Sequence, residues 1–101
     1  MDILSAMNFA VYILYSQKLN RFYVGTSDDP NWRVIEHNSG KYDDAFTKNG
    51  IPWSLFLVIS DLTSEQAYKI ERHIKKMKSK KFIENLVQFP EIIDKLKKKY
   101  L

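Results

Sequence analysis

Residues 9–25, with the sequence FAVYILYSQKLNRFYVG, decide the fold of this chain. The run over residues 9–15 is continuously apolar and aromatic, which is typical of a strand covered on both faces. A second strand is predicted over residues 21–25, and the short polar link between the two predicts an antiparallel hairpin. Because side chains alternate along a strand, Tyr12 and Tyr23 each project from one defined face of the hairpin.

The segment after the hairpin predicts a helix, a loop and a third strand. Asp29 is suited to cap a helix, and Pro30 to be its first residue, where the missing N–H costs nothing. The Asn-Ser-Gly sequence at residues 38–40 predicts the end of that helix. Residues 41–52 are polar and are predicted to form the longest loop, and residues 53–60 to form the third strand.

The second half of the chain predicts three more helices. Thr63 and Gln66 have the spacing of a capping box, which predicts a helix that continues to about residue 77. Residues 80–87 predict a short helix, and residues 91–100 a last one after a break at Pro90. The predicted fold class is therefore α+β, a three-stranded antiparallel sheet flanked by helices.

Length, composition and charge limit the functions that are possible. A chain of 101 residues suits one domain, and its lack of cysteine excludes disulfides, thiolate metal sites and a cysteine nucleophile, which favours a cytoplasmic protein. No apolar run is long enough to span a bilayer, and the N-terminus lacks the pattern of a signal peptide. The net charge of +4 favours a polyanionic partner. We predict three segments: an N-terminal extension over residues 1–8, a domain over residues 9–87 and a C-terminal basic amphipathic helix over residues 88–101.

An ordered set of motifs resembles the GIY-YIG nuclease family. Ala10-Val11-Tyr12 is followed by Tyr23-Val24-Gly25, with eleven residues from one tyrosine to the other. Arg33 comes ten residues after the second tyrosine, His37 one helical turn later, and Glu71 on a later helix. Each motif alone is weak, but the set at these spacings is fairly specific.

Further segments indicate which members of the family the chain resembles, and two residues differ from the family motifs. The sequences HNSG, at residues 37–40, and NGIPW, at residues 49–53, are similar to small single-domain bacterial members of the family, and the resemblance covers residues 9–87. Ala10 replaces the first glycine of the family motif. Thr26 stands where some members have a lysine near the phosphate.

The resemblance implies a metal-dependent enzyme that hydrolyses phosphodiester bonds in DNA, in repair or processing. Tyr23 would act as a base towards water, and Tyr12 would form hydrogen bonds and orient the site. Arg33 would stabilise the phosphate, His37 would share the base role or steady the phosphate, and Glu71 would bind one Mg²⁺ or Mn²⁺ ion.

These residue types suit that chemistry independently of the resemblance. Arginine carries a fixed charge and a planar fork for phosphate oxygens, and one carboxylate with waters and phosphate is a normal Mg²⁺ arrangement. The reference pKa of tyrosine is about 10, so a tyrosine base needs help from the metal or from Arg33. Glu71 falls about 40° from Ala67 on a helical wheel, at the border of the buried stripe, and Arg33 and His37 share one helix face.

A basic cluster is the remaining candidate for binding. We predict largely sequence-independent contacts between these residues and the nucleic-acid backbone. The simpler alternative is a solvated helix face. The predicted contacts are Lys48, Arg72, Lys75, Lys76, Lys78, Lys80, Lys81 and Asn85.

Two other classes of function stay open at this point. The main alternative is a nucleic-acid-binding module of the same fold with weak or no cleavage, favoured by Thr26 and by the lack of a second targeting domain. A weaker one is a protein-interaction domain with an apolar final helix. Taken singly, the tyrosines read as packing residues, Arg33 as a partner of Glu36, and Glu71 as a partner of Lys75. RNA as substrate, and endonuclease or exonuclease action, also stay open.

Overall fold

The fold is described by a computed structural model over residues 7–101, so most of the predicted N-terminal extension, residues 1–6, lies outside the described residues. Three strands and five helices follow one another along this part of the chain, which confirms the predicted α+β class. The strands are β1 (Phe9–Ser16), β2 (Arg21–Ser27) and β3 (Trp53–Leu62). The helices are α1 (Pro30–Asn38), α2 (Ala45–Asn49), α3 (Ser64–Met77), α4 (Lys80–Gln88) and α5 (Glu91–Lys99).

The sheet has the order β2-β1-β3, and both pairings are antiparallel. The central position of β1 explains why its sequence is apolar without alternation, since helices or loops cover both of its faces. Val11 and Ile13 face the main core, where Ile70, Ile74 and Leu86 from α3 and α4 pack. On the other face Tyr12 and Leu14 pack with Trp53, Tyr23, Val34 and Ile51. Alternation along one strand therefore separates the main core from the face that carries Tyr12.

Helix α1 begins and ends as the sequence predicts. The Asp29 side chain accepts a hydrogen bond from the Trp32 backbone N–H at 3.1 Å, and Pro30 is the first helical residue. The helix ends at Asn38, and Gly40 has a φ of +78°, which favours glycine.

The predicted long loop is wrong in one respect, because α2 forms within it. Asp44 caps this short helix by accepting a hydrogen bond from the Thr47 backbone N–H at 2.7 Å. The Trp53 indole N–H donates to the Thr47 carbonyl at 2.9 Å and ties the helix to the start of β3. A helix of five residues has too short an apolar pattern to be recognised from sequence, and its stability depends on this distant contact.

Helix α3 uses only half of the predicted capping box. The Thr63 hydroxyl accepts from the Gln66 backbone N–H at 3.0 Å, as expected. The Gln66 side chain does not return to the cap but donates to the Lys97 carbonyl of α5 at 3.0 Å. Leu96 of α5 is buried in the main core, so the last helix packs onto the domain.

Candidate active site

The hairpin register brings the two sequence motifs into contact. Tyr12 of β1 lies directly opposite Gly25 of β2. A Cβ atom built on Gly25 would lie 2.6 Å from the Tyr12 hydroxyl oxygen, so any larger residue would displace the ring. The glycine of the second motif therefore makes room for the tyrosine of the first, which gives the spacing between the motifs a physical reason.

The Tyr12 hydroxyl connects two residues of α1. This side chain is 0% exposed, and its hydroxyl lies 3.2 Å from His37 Nε2 and 3.3 Å from Arg33 Nε. Arginine can only donate, so the Tyr12 oxygen accepts from Arg33. Donation of the phenol proton to His37 Nε2 then satisfies the hydroxyl, and we assign the neutral imidazole with its proton on Nδ1. The predicted shared face of Arg33 and His37 is confirmed by this joint contact.

Burial sets the protonation states of this group. It raises the pKa of Tyr12 to about 12, against the opposing effect of the Arg33 hydrogen bond, so Tyr12 stays a neutral phenol at ordinary pH. Burial is also the main cause that lowers the pKa of His37, and the positive charge of Arg33 adds to it. His37 is 1% exposed. His37 is therefore a buried residue, and its ring is neutral near pH 7.

Arg33 has donors to spare for a ligand. Its Nε bonds to Tyr12, and one terminal nitrogen lies 3.6 Å from Glu36 Oε1, the partner that the sequence suggests. Glu36 also pairs with Lys41, so two cations neutralise this carboxylate and not Arg33 alone. A guanidinium has five N–H donors, and the Arg33 side chain is 33% exposed. It can therefore present a charged fork to an anion from solvent.

Tyr23 completes the aromatic part of the site. Its ring lies 4.4 Å from the His37 ring and 6.2 Å from the Tyr12 ring, measured between centroids. Burial raises the pKa of Tyr23, while the charge of Arg33 and the Tyr12 hydroxyl lower it in part and the charge of Glu71 raises it further. Glu71 therefore lies near enough to Tyr23 to oppose its ionisation, although it comes from α3.

Glu71 is the acidic member of the site and the candidate metal ligand. Its side chain is 12% exposed, at the border of the buried stripe as the helical wheel predicts, and Oε1 lies 2.7 Å from Lys75 Nζ. Within residues 7–101, no three side chains of His, Cys, Asp or Glu come together as a ready metal site. The residues present fit a Mg²⁺-like ion only if one carboxylate binds it and waters and phosphate oxygens supply its other ligands.

Asn85 carries a second buried oxygen, one without a hydrogen-bond partner in the described part of the chain. Its Oδ1 atom is buried and accepts no hydrogen bond from residues 7–101. Amide oxygens are ligands for hard cations and acceptors for polar ligands, and a buried acceptor without a partner costs free energy. The sequence predicts that Asn85 contacts the nucleic acid.

Tyr42 is a member of the site that sequence reasoning missed. Its ring lies 4.6 Å from the His37 ring, and the Arg33 guanidinium carbon lies 5.5 Å from the Tyr42 centroid. The Tyr42 hydroxyl and His37 Nδ1 are both buried, and neither has a hydrogen-bond partner within the described residues. The signal available in the sequence was an aromatic residue in a largely polar loop, two residues before the α2 cap position.

The predicted basic residues lie in three places. Lys48 forms an ion pair with Asp43 at 2.9 Å. Lys80 and Lys81 are exposed at the start of α4. The others line two grooves along α3, the first beside Tyr23 with Lys75 and Lys78, the second with Arg72, Lys75 and Lys76.

The hairpin, α1 and α3 thus assemble a polar cluster of phenols, imidazole, guanidinium and carboxylate on an α+β fold. A model of the GIY-YIG catalytic domain matches residues 8–85, about three quarters of the chain. The chain belongs to this family of nucleases, for which DNA is the substrate, and the resemblance seen in the sequence is confirmed. None of the curated proteins and none of the solved structures is a significant match to the chain. No helix in residues 7–101 is long and apolar enough to cross a membrane.

The buried, neutral His37 predicts a loss of stability in acid. Its pKa is lowered in the fold from the ordinary 6.5, so between the two values the unfolded chain binds a proton that the folded chain does not. The free energy of unfolding therefore falls as the pH drops below about 6.5. We expect the melting temperature to fall between pH 7 and pH 5, and to fall less in His37→Gln. Parallel pH profiles for the parent and the variant would contradict this.

Proposed function

We propose that this chain is an active, metal-dependent nuclease that hydrolyses phosphodiester bonds in DNA with little regard to sequence. One observation carries the proposal: the buried Tyr12 hydroxyl is held between Arg33 Nε and His37 Nε2, 3.3 Å and 3.2 Å away. The Arg33 charge is held at the surface end of this buried contact, with further N–H donors available to a ligand. The polar cluster is pre-organised where an anion would meet Arg33 from solvent.

Arg33 is the electrostatic centre of the proposed reaction. In phosphodiester hydrolysis, negative charge accumulates on the non-bridging and leaving oxygens of the transition state. The free N–H donors of Arg33 are suited to those oxygens because a planar guanidinium binds two of them at once. Its Nε–H bond to Tyr12 fixes the orientation of the fork before the substrate arrives.

The two tyrosines have different proposed roles. Tyr12, with a pKa of about 12, is unsuited to lose a proton and serves to orient Arg33 and His37. Tyr23 lies nearer the surface and is the proposed base towards water, since Arg33 and Tyr12 both favour its ionised form against the effect of burial. His37 is neutral near pH 7, and Nε2, the unprotonated ring nitrogen that accepts from Tyr12, is the atom through which it would share the base role.

Glu71, with Asn85 as a possible second oxygen donor, would hold the divalent ion, Mg²⁺ or Mn²⁺. Bound there, the ion supplies Lewis-acid stabilisation of phosphate oxygens. Glu71 must then release Lys75, which would become free to contact the nucleic-acid backbone. We further propose a cytoplasmic protein of DNA repair or processing, in keeping with the absence of cysteine.

A second candidate function is a nucleic-acid-binding module of the same fold with weak or no cleavage. Two observations favour it. Thr26 stands where some family members have a lysine, and the ion pair of Glu71 with Lys75 competes with a metal for the same carboxylate. This candidate predicts DNA binding without any effect of divalent ions.

Nicking of supercoiled plasmid DNA tests the proposal against this alternative. We expect the protein to nick in Mg²⁺ or Mn²⁺ and to stop in EDTA, and Tyr23→Phe to be inactive. Tyr15→Phe is the matched control, because Tyr15 lies on the same hairpin and bonds to Asn20 at the surface. Absence of nicking in either metal, or equal nicking by the two variants purified in the same way, would exclude the proposed enzyme.

Tyr42 is expected to contribute to the reaction through His37 and Arg33. Tyr42→Phe keeps the ring against both residues and removes only the buried hydroxyl, which is free for a water or a phosphate oxygen. We expect cleavage to fall by about tenfold, the scale of one neutral hydrogen bond of about 1.4 kcal/mol, with little change in melting temperature. Tyr68→Phe, on the exposed side of α3, is the control. Unchanged cleavage in Tyr42→Phe would restrict Tyr42 to packing.

A further inference from the structure

A groove between α3 and the end of α5 is a strongly cationic concave surface. It has a volume of about 910 Å³ and is lined by Lys69, Arg72, His73, Lys75, Lys76, Met77, Lys99 and Tyr100. Five of these eight residues are cationic, and no carboxylate lines the groove among the residues described. The family match ends at residue 85, so the α5 wall of the groove lies outside it.

Three of the five cations have no acidic partner. Lys69 pairs with Glu65 at 3.1 Å, and Lys75 with Glu71 at 2.7 Å. Arg72, Lys76 and Lys99 form no ion pair with any group in residues 7–101. Like charges that face one another across a groove repel and destabilise the fold. Solvation of a helix face explains charges that point outwards but not this convergence from two helices.

The position of α5 is held by specific contacts near its end. The Tyr100 hydroxyl lies 2.7 Å from His73 Nδ1, and the Gln66 side chain bonds to the Lys97 carbonyl. Leu96, one residue before Lys97, is buried in the core. Lys99 therefore stands on an anchored segment and lines the groove together with Lys76 and His73.

The spacing of the α3 cations matches a phosphate backbone. Lys69, Arg72 and Lys76 are three and four residues apart and share one helix face, on which they span about 10 Å at 1.5 Å per residue. Successive phosphates of one duplex strand are about 3.4 Å apart along the axis, so that face covers about three of them. Lys75 lines this groove and also the smaller one beside Tyr23, so the two grooves meet at the side chain that pairs with Glu71.

We propose that the α3–α5 groove binds the phosphodiester backbone of the nucleic acid beside the point of cleavage. The backbone would run from Tyr23 across Lys75 and then along Arg72, Lys76 and Lys99. This inference rests on the proposed function for the identity of the ligand. It assigns to α5 the role of one wall of the binding surface, not that of a stabilising tail alone.

Anisotropy of a fluorescein-labelled 20-base-pair duplex in EDTA, from 50 to 200 mM salt, tests the groove without cleavage. We expect a slope of log K against log salt near −3 for the parent, and nearer −2 with about three- to tenfold weaker binding for Lys76→Glu and for Lys99→Glu. Lys18→Glu is the control of equal charge change, since Lys18 is exposed in the hairpin turn and lines neither groove. Melting temperatures of Lys76→Glu and Lys99→Glu should hold or rise, because repulsion is relieved.

The outcomes separate this inference from the proposed enzyme. If Lys76→Glu and Lys99→Glu bind like Lys18→Glu, net charge alone governs affinity and the groove is excluded, whether or not the parent nicks plasmid. If both bind more weakly than Lys18→Glu while the parent fails to nick in Mg²⁺ and Mn²⁺, the groove stands and the enzyme does not. Binding to phosphatidylserine vesicles with none to the duplex would overturn the assignment to nucleic acid.

Discussion

Arg33→Ala is expected to reduce the rate of DNA cleavage at least about a hundredfold, the scale for removal of one donor to a developing oxyanion. The substitution removes the charge at the phosphate and the hydrogen bond that orients Tyr12, whose buried hydroxyl would keep only His37 as a partner. At 1.36 kcal/mol per tenfold, the loss is about 2.7 kcal/mol of transition-state stabilisation. Single-turnover cleavage of a labelled duplex measures it.

Arg33→Lys separates charge from geometry. A lysine brings the charge to the same face but has no Nε–H to hold Tyr12 while a planar fork binds phosphate. We therefore expect little rescue. Arg21→Ala is the control, because Arg21 is exposed at the start of β2 and touches no part of the site. Full activity in Arg33→Lys would mean that the site needs only a positive charge.

The sheet and the main helices could be predicted from sequence because local signals determine them. The apolar run of β1 reflects its central position, the hairpin link fixes the strand pairing, and caps such as Asp29 and Thr63 act within a few residues of themselves. The joint position of Arg33 and His37 follows from helical period alone. These features need no knowledge of distant contacts.

The parts that could not be predicted depend on contacts between distant residues. Tyr42 enters the site because its loop folds back over α1, and α2 is stabilised by the Trp53 indole. The Gln66 side chain leaves its expected capping position for the Lys97 carbonyl, 31 residues away. Local propensity carries no information about partners at such separations, so the sequence placed Gln66 correctly on α3 but predicted the wrong hydrogen-bond partner for its side chain.

The site itself was predicted as a set of residues and not as an arrangement. The sequence named Tyr12, Tyr23, Arg33, His37 and Glu71, and the structure joins the first four in direct contact with Glu71 near Tyr23. Which tyrosine ionises more readily could not be predicted, because both have the same residue type and the same reference pKa. The difference comes from burial, which is complete for Tyr12 and partial for Tyr23.

Glu71→Gln is expected to abolish cleavage while sparing the fold and DNA binding. The substitution keeps size and polarity and removes one negative charge, so a metal bound there would lose its charged protein ligand. The lost ion pair with Lys75, an i,i+4 pair at 2.7 Å, accounts for only a few tenths of a kcal/mol of stability. Cleavage rate, duplex affinity and melting temperature, each with and without Mg²⁺, measure the effect.

Glu65→Gln is a matched control on the same helix. Glu65 also pairs with the lysine four residues later, at 3.1 Å, but its side chain is largely exposed in the first turn of α3. If Glu71 were only an ion-pair partner, the two variants should behave alike: a small loss of stability and unchanged cleavage. If Glu71 holds the metal, only Glu71→Gln loses activity, and its duplex affinity should hold or rise because Lys75 is released to the DNA backbone. Parent-like cleavage by Glu71→Gln would remove the metal site from Glu71.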